Sequence, residues 1–519
     1  MPFRAIPLHA MRSGKQDKVT KVPIIKMLLQ ILAAALALTI LVQPIVFYFL
    51  DKKALRKFAS PSYAGLSSLW RIYHNLKCQH YLAVDEAHKK LGTHVRIAPN
   101  HISVSDPQAL TDIYGHGANF LKDAWYDGGA GEHRHLADTR VKAEHQRKRK
   151  MMAHVFAQKT IANLEPIVTE TTGILVAQVD KHAVSGKPIN MRRYLNYYTI
   201  DLFAELLYGS TLGCLERGDD MVNAEAEDGK VYQVPFIKSL HDATIINTIL
   251  GMEAGILPLT KKLFSRHPYK KAGADYDNII FHNTKKRLHD PDAENDIFSK
   301  LLTSSKGEDL NLSAGEILSE CSVMMNVGTD TTTAALTNAI YLLYKHPDVL
   351  SKLRAELDAA IGASDVPTYE SLASLPFLRA CIEESLRVRP ASSFGLPRVV
   401  PKGGRYIAGQ FVAEGVTVSV PTYTLLRDPV AFDKPEEFIP ERWFDGDKER
   451  MSKAHFPFST GPRACIGRNI AYFELLIVIG TLVRAFDFEF LSEDFELETI
   501  ERFNSNPGEL EMIARRRLN

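Results

Sequence analysis

The ten residues Phe458-Ser-Thr-Gly461-Pro-Arg463-Ala-Cys465-Ile-Gly467 carry the densest chemistry in the sequence. Cys465 stands just before an apolar run, from about Asn469, that reads as a helix. Free N–H groups and the positive end of the helix dipole there favour a thiolate over a thiol. A thiolate is the axial donor that pushes electron density onto haem iron and promotes O–O cleavage. Gly461 and Gly467 permit backbone conformations and close approaches that a Cβ would block. Arg463, two residues from the cysteine, can meet a haem propionate. An ordinary helix-entry loop around a buried cysteine needs no such combination. The other four cysteines, Cys78, Cys214, Cys321 and Cys381, are scattered and make no C-x-x-C spacing. They indicate neither a disulfide framework nor a zinc site and fit a reducing compartment.

A second group lies in Met324-Met-Asn-Val327-Gly328-Thr-Asp330-Thr331-Thr-Thr333. Positions 324, 328 and 331 recur at i, i+4 and i+7 and share one helix face. Gly328 lowers helix propensity by about 1 kcal/mol relative to Ala, and close approach of a planar cofactor would justify it. Thr331 offers a hydroxyl to dioxygen, and Asp330 can relay protons from solvent. Glu384 and Arg387 form an i,i+3 pair on a further helical stretch; taken alone, that spacing is a common surface pair.

The elements that position these groups read as mostly helical. Periodicity of helix type runs through 140–182, 313–345, 345–361, 376–389 and 466–485. Short strand-like runs at 94–99, 405–409 and 416–423 suggest small sheets beside a helical body. The 519 residues carry 63 Lys+Arg against 61 Asp+Glu and are 45% hydrophobic. This balance argues against a nucleic-acid binder and an acidic disordered chain. Residues 27–50 contain no charge and, at ~1.5 Å per residue, are long enough to cross a hydrocarbon core of ~30 Å. The expected organisation is an N-terminal segment 1–26, a transmembrane anchor 27–50 and one domain over 51–519. Basic residues flank the anchor on both sides, so charge alone does not orient it. The Gly-rich runs at 115–117 and 127–131 follow no βαβ pattern. With no flavin or nicotinamide signature, the chain cannot itself draw electrons from NADPH.

The Cys465 loop resembles the haem-binding signature of the cytochrome P-450 superfamily, Phe-x-x-Gly-x-Arg-x-Cys-x-Gly, at every fixed position. The resemblance covers essentially residues 51–519 and implies a mainly α fold with small sheets, haem b held by the Cys465 thiolate, and Phe458, Gly461 and Arg463 as cofactor-binding residues. It pairs Glu384 and Arg387 with Arg442 of Phe438-Ile-Pro-Glu-Arg-Trp443 as a structural triad. It assigns Asp330 and Thr331 to oxygen activation, although Val327 departs from the small residue usual at its place. It also implies haem-propionate roles for His145, Arg149 and Arg398, with His145 standing where many relatives have Trp. Lys148 and Lys150 are candidates for docking an acidic electron donor. The implied activity is monooxygenation of a small molecule, with NADPH electrons delivered by a separate NADPH–cytochrome reductase and cytochrome b5 as a further candidate donor. The implied location is the endoplasmic reticulum membrane, with the catalytic domain facing the cytosol.

The stretches 96–110, 114–123, 394–404 and 419–429 are similar to fungal benzoate para-hydroxylases and their kin in secondary metabolism. That points to an aromatic substrate, with Met324, Val327 and Ala391–Leu396 toward it and Ser392, Ser393 or an unplaced Arg as partners for a carboxylate; a neutral, larger polycyclic or peptide-derived substrate is the rival reading. The apolar segment 234–259 suits an access channel, a membrane contact or ordinary core. A haem-thiolate isomerase or dehydratase, and a haem carrier or sensor, are the readings outside the oxygenase class; neither needs the Asp330–Thr331 pair.

Overall fold

The computed structural model describes residues 42–157, 160, 163–252, 254–290, 296–303, 309–362 and 366–517. The chain divides into two compact units, 1–52 and 53–519. Most of the expected membrane anchor, 27–41, lies outside the described residues; 42–50 are helical. Among the described residues no helix is long and apolar enough to cross a membrane.

The longer helices of the second unit are α1 (His80–Leu91), α2 (Lys142–Met152), α3 (Glu165–Ser185), α4 (Met191–Tyr208), α5 (Phe236–Gly251), α6 (Pro268–Leu288), α7 (Ala314–Lys345), α8 (Pro347–Ala360), α9 (Pro376–Val388) and α10 (Arg468–Ala485). At the centre is α7, packed against α4, α9 and α10. Its start is set by a capping box: Ser313 Oγ accepts from the Glu316 N–H while the Glu316 carboxylate accepts from the Ser313 N–H, satisfying two otherwise orphan donors. At its other end Pro347 opens α8, because proline fits a first turn but not a helix interior. The expected helical stretch 140–182 is two helices. Pro166 sits in the first turn of α3, where its missing N–H costs nothing.

The strands are β1 (His94–Ala98), β2 (His101–Val104), β3 (Leu121–Lys122), β4 (Ile189–Asn190), β5 (Met221–Glu225), β6 (Val231–Pro235), β7 (Arg398–Val399), β8 (Arg405–Ile407), β9 (Gln410–Val412), β10 (Thr417–Ser419), β11 (Phe486–Phe490), β12 (Thr499–Glu501), β13 (Ser505–Pro507) and β14 (Glu511–Arg516). The largest sheet has the order β1-β2-β10-β7-β3. Its own apolar cluster, including Ile102, Val104 and Val418, lies apart from the main helical core. The strand expected over 416–423 stops at Ser419; Pro421, lacking an N–H, instead caps the short helix Thr422–Leu425, as a proline interrupts a ladder. The register of this sheet bears on function. Lys122 on β3 pairs with Arg398 on β7, which sets two cations side by side.

Candidate active site

The Cys465 loop is held from three directions. Its own backbone closes it, the Cys465 N–H donating to Phe458 O at 2.9 Å. Arg149 on α2 donates to Ala464 O at 2.8 Å, and Arg463 donates to Thr139 O at 2.8 Å. The Phe458 ring rests against Tyr472 at 5.0 Å. Gly461 has φ 72°, and a Cβ there would lie 1.8 Å from the Tyr114 carbonyl oxygen, so only glycine fits. Gly467 is different. A Cβ there would meet Ile470 and Cys465 at ordinary contact distances, so the protein itself does not demand glycine.

Cys465 is exposed, yet the protein packed around it disfavours the charged thiolate. Burial pushes its thiol up, opposed by the N–H groups of Gly467 and Arg468 and by the charges of Arg149 and Arg468. The helix-start effect expected from sequence is therefore present but outweighed; metal ligation would deprotonate such a thiol outright. Burial is likewise the largest cause at Cys321, pushed up to about 12, and full burial makes that one an inert core thiol.

Around the loop five cationic or basic side chains converge: Lys122, His145, Arg149, Arg398 and Arg463. None has a carboxylate within ion-pair distance among the described residues. Lys122 donates to Ala137 O, and Arg398 donates to Tyr126 Oη at 3.2 Å. Burial, then the charges of Arg398 and Arg463, hold Lys122 well below the usual lysine range. Burial and Arg398 bring Arg463 down to about 10. His145 falls to about 4, from burial and then Arg463, Lys122, Arg149 and Arg398. Basic side chains crowded together in this way, with Lys122, His145 and Arg398 buried and Arg149 and Arg463 half-buried, call for an anionic partner. A haem, with one position for sulfur and two propionates, matches this donor set. Lys122 was missed from sequence, since only the β3–β7 pairing brings it here.

Glu384, Arg387 and Arg442 do meet, and all three are buried. The Glu384 carboxylate accepts from Arg387 Nε (2.9 Å) and Nη2 (2.8 Å), Arg442 Nε (2.9 Å), the Ile439 N–H (2.9 Å) and Trp443 Nε1 (3.1 Å). Arg387 also donates to the carbonyls of Leu426, Pro435 and Glu437, and Arg442 to those of Asp433 and Lys434. The triad thus ties α9 to the irregular segment 426–443.

In the middle of α7, Val327 is 42% exposed beside buried Gly328, and Thr331 is partly accessible. The Thr331 hydroxyl donates to Val327 O at 2.6 Å. Three sequence expectations change here. Gly328 is required by Phe203 of α4, whose ring lies 2.2 Å from any Cβ placed there, so helix packing rather than a cofactor explains it. Met324 is buried in the main core, leaving Val327 as the accessible member of the pair. Asp330 is buried and engaged: His241 Nε2 (2.8 Å) and Asn506 Nδ2 (2.6 Å) bond one oxygen, and Asn504 Nδ2 (2.8 Å) the other. Burial works to raise its pKa, but His241 and the two amides prevail and hold it far below the carboxylate range. His241, Asn504 and Asn506 carry no local sequence signal, because they come from α5 and the β12–β13 hairpin.

One further expectation fails. Lys148 is buried and ion-paired to buried Glu320 at 2.9 Å, so it cannot dock a donor; Lys150 is exposed. Ser393 is buried and its hydroxyl accepts from Ser505 Oγ at 2.6 Å, a bond that leaves its own O–H as a donor.

The family model for cytochrome P450 matches residues 64–512, and the chain belongs to that family. It is a haem-thiolate monooxygenase. Over 511 residues it is 32% identical to benzoate 4-monooxygenase bphA of Aspergillus niger, covering 95% of this chain and 98% of that one. It is 30% identical over 472 residues to the cytochrome P450 monooxygenase ORF11 of Penicillium roqueforti, covering 87% and 92%. The same identity over 449 residues relates it to the cytochrome P450 monooxygenase astJ of Aspergillus oryzae, covering 83% and 86%.

Proposed function

We propose that this monooxygenase hydroxylates a compact aromatic substrate, with a carboxylate such as benzoate as the leading class. The haem supplies oxygen activation when bound. Cys465 would ligate its iron, and Lys122, His145, Arg149, Arg398 and Arg463 would hold its propionates. Thr331 and Asp330 would manage the protons. Electrons would come from an NADPH–cytochrome reductase, with cytochrome b5 as a second donor, on the cytosolic face of the endoplasmic reticulum. The observation that carries the cofactor reading is the cluster of basic side chains around the Cys465 loop, with no carboxylate within ion-pair distance among the described residues.

Likeness to the Aspergillus niger enzyme over nearly the whole chain favours the aromatic acid. A buried substrate carboxylate needs a charged partner beyond the neutral hydroxyls of Ser392 and Ser393, and Arg502 is suited to it. Its Nε and Nη1 are buried without hydrogen-bond partners among the described residues. The next residue, Phe503, stacks on Trp125 at 5.6 Å, with Phe394 completing an aromatic wall. An Arg fork compensates a carboxylate far better than a serine hydroxyl. Benzoate added to purified enzyme should shift the iron spin state, and Arg502→Met should weaken benzoate at least tenfold while sparing benzamide. No spin-state shift and no hydroxybenzoate in a reductase-coupled assay would reject the substrate class while leaving the monooxygenase intact.

A further inference from the structure

Asp330 is not merely buried; both its oxygens are committed. Its partners come from two separate elements, His241 on α5 and Asn504 and Asn506 around the β12–β13 turn. The same hairpin reaches the 391–396 stretch through Ser505 and Ser393, and Trp125 through Phe503. Meanwhile the neighbouring hydroxyl of Thr331 turns to its own helix. We propose that His241, Asn504 and Asn506 form a latch that keeps Asp330 out of proton delivery until α5 or the hairpin moves. His241 is then a positioning residue, acting through Asp330. This rests on the monooxygenase reading.

The chemistry supports a latch. A relay group must take up and release a proton near the working pH. A carboxylate fed by three donors stays ionised and cannot do so. Arg192 from α4 and Arg502 from the hairpin add positive charge toward it, and Tyr276 of α6 is the remaining titratable neighbour. Burial lowers His241 itself while Asp330 opposes that, so its Nε2–H serves as a hydrogen-bond donor. Freeing one element removes one or two donors and restores proton affinity.

The test compares His241→Leu, His241→Gln and the Asn504→Leu/Asn506→Leu pair as holoenzymes with a wild-type carbonyl spectrum. Hydrogen exchange reads the latch without turnover: amides of 499–506 should exchange at least tenfold faster in the Asn504→Leu/Asn506→Leu pair and those of α5 in His241→Leu, with both near the wild-type rate in His241→Gln. With purified reductase and no added substrate, NADPH consumption should rise at least threefold in the leucine variants, with an altered solvent deuterium effect and pH profile. His241→Gln should restore both. Faster exchange with unchanged consumption, isotope effect and pH profile would reduce the cluster to a structural tie and overturn the latch. So would unchanged exchange. Loss of the carbonyl spectrum in the wild-type protein would instead strike the haem-thiolate reading.

Discussion

Replacing Glu384 by Ala tests the arithmetic of the triad. The carboxylate receives five hydrogen bonds, four of them at 2.8–2.9 Å, and its removal leaves two guanidiniums buried without a counter-ion. Breaking a buried pair from one side costs about 3–5 kcal/mol. Against a total stability of about 5–15 kcal/mol, that is a large share. Arg387→Ala should cost at least as much, because the carbonyls of Leu426, Pro435 and Glu437 lose their donor too. Trp443→Phe removes one bond to a charged acceptor, about 1.5–3 kcal/mol. The order Arg387→Ala ≥ Glu384→Ala > Trp443→Phe is read from denaturant midpoints of the apo-proteins and from haem retained per chain. Because the triad ties α9 to 426–443, upstream of the Cys465 loop, the two larger losses should also abolish haem incorporation. Glu384→Ala protein with wild-type haem content and a midpoint shift worth under about 1 kcal/mol would refute the reasoning.

Cys465→Ser should lose the red-shifted Soret band of the reduced carbonyl complex, whereas serine at Cys78, Cys214, Cys321 or Cys381 should keep it; an unchanged Cys465→Ser spectrum would end the ligand assignment. Gly461→Ala should fail to take up haem while Gly467→Ala folds, since only the first collides with backbone; circular dichroism and haem titration compare them. His145, depressed to about 4, binds its proton more readily unfolded, so apo-protein stability should fall as pH drops from about 6.5 toward 4, and His145→Gln should flatten that slope. Glu474 is fully buried with both oxygens unpartnered among the described residues, and burial raises it well above the carboxylate range. It keeps a proton that the unfolded chain loses, so its contribution declines as pH rises above about 4.3. Glu474→Gln should therefore stabilise the protein at pH 7 and not at pH 4, as denaturant midpoints would show.

The sequence by itself determined the local pieces of this protein. The Phe458–Gly467 loop, the capped helix of Thr331, the Glu384–Arg387 spacing and the Phe438–Trp443 segment are each short-range patterns. Side chains three or four residues apart share a helix face, and Gly461 needs its positive φ whatever surrounds it. Family membership was legible for the same reason. What only tertiary structure decided are the groups brought in from a distance. Lys122 joins the cations because β3 pairs with β7, and Arg398 completes them from the same register. Gly328 answers to Phe203 across a helix crossing. Lys148, one basic residue among several in sequence, is the one that faces Glu320. Asp330 reads in sequence as a solvent-side proton relay, yet three donors from α5 and the β12–β13 hairpin converge on it. Those donors lie 89 to 176 residues away, and no periodicity spans such a distance. Only packing sets which side chains end up within hydrogen-bond reach.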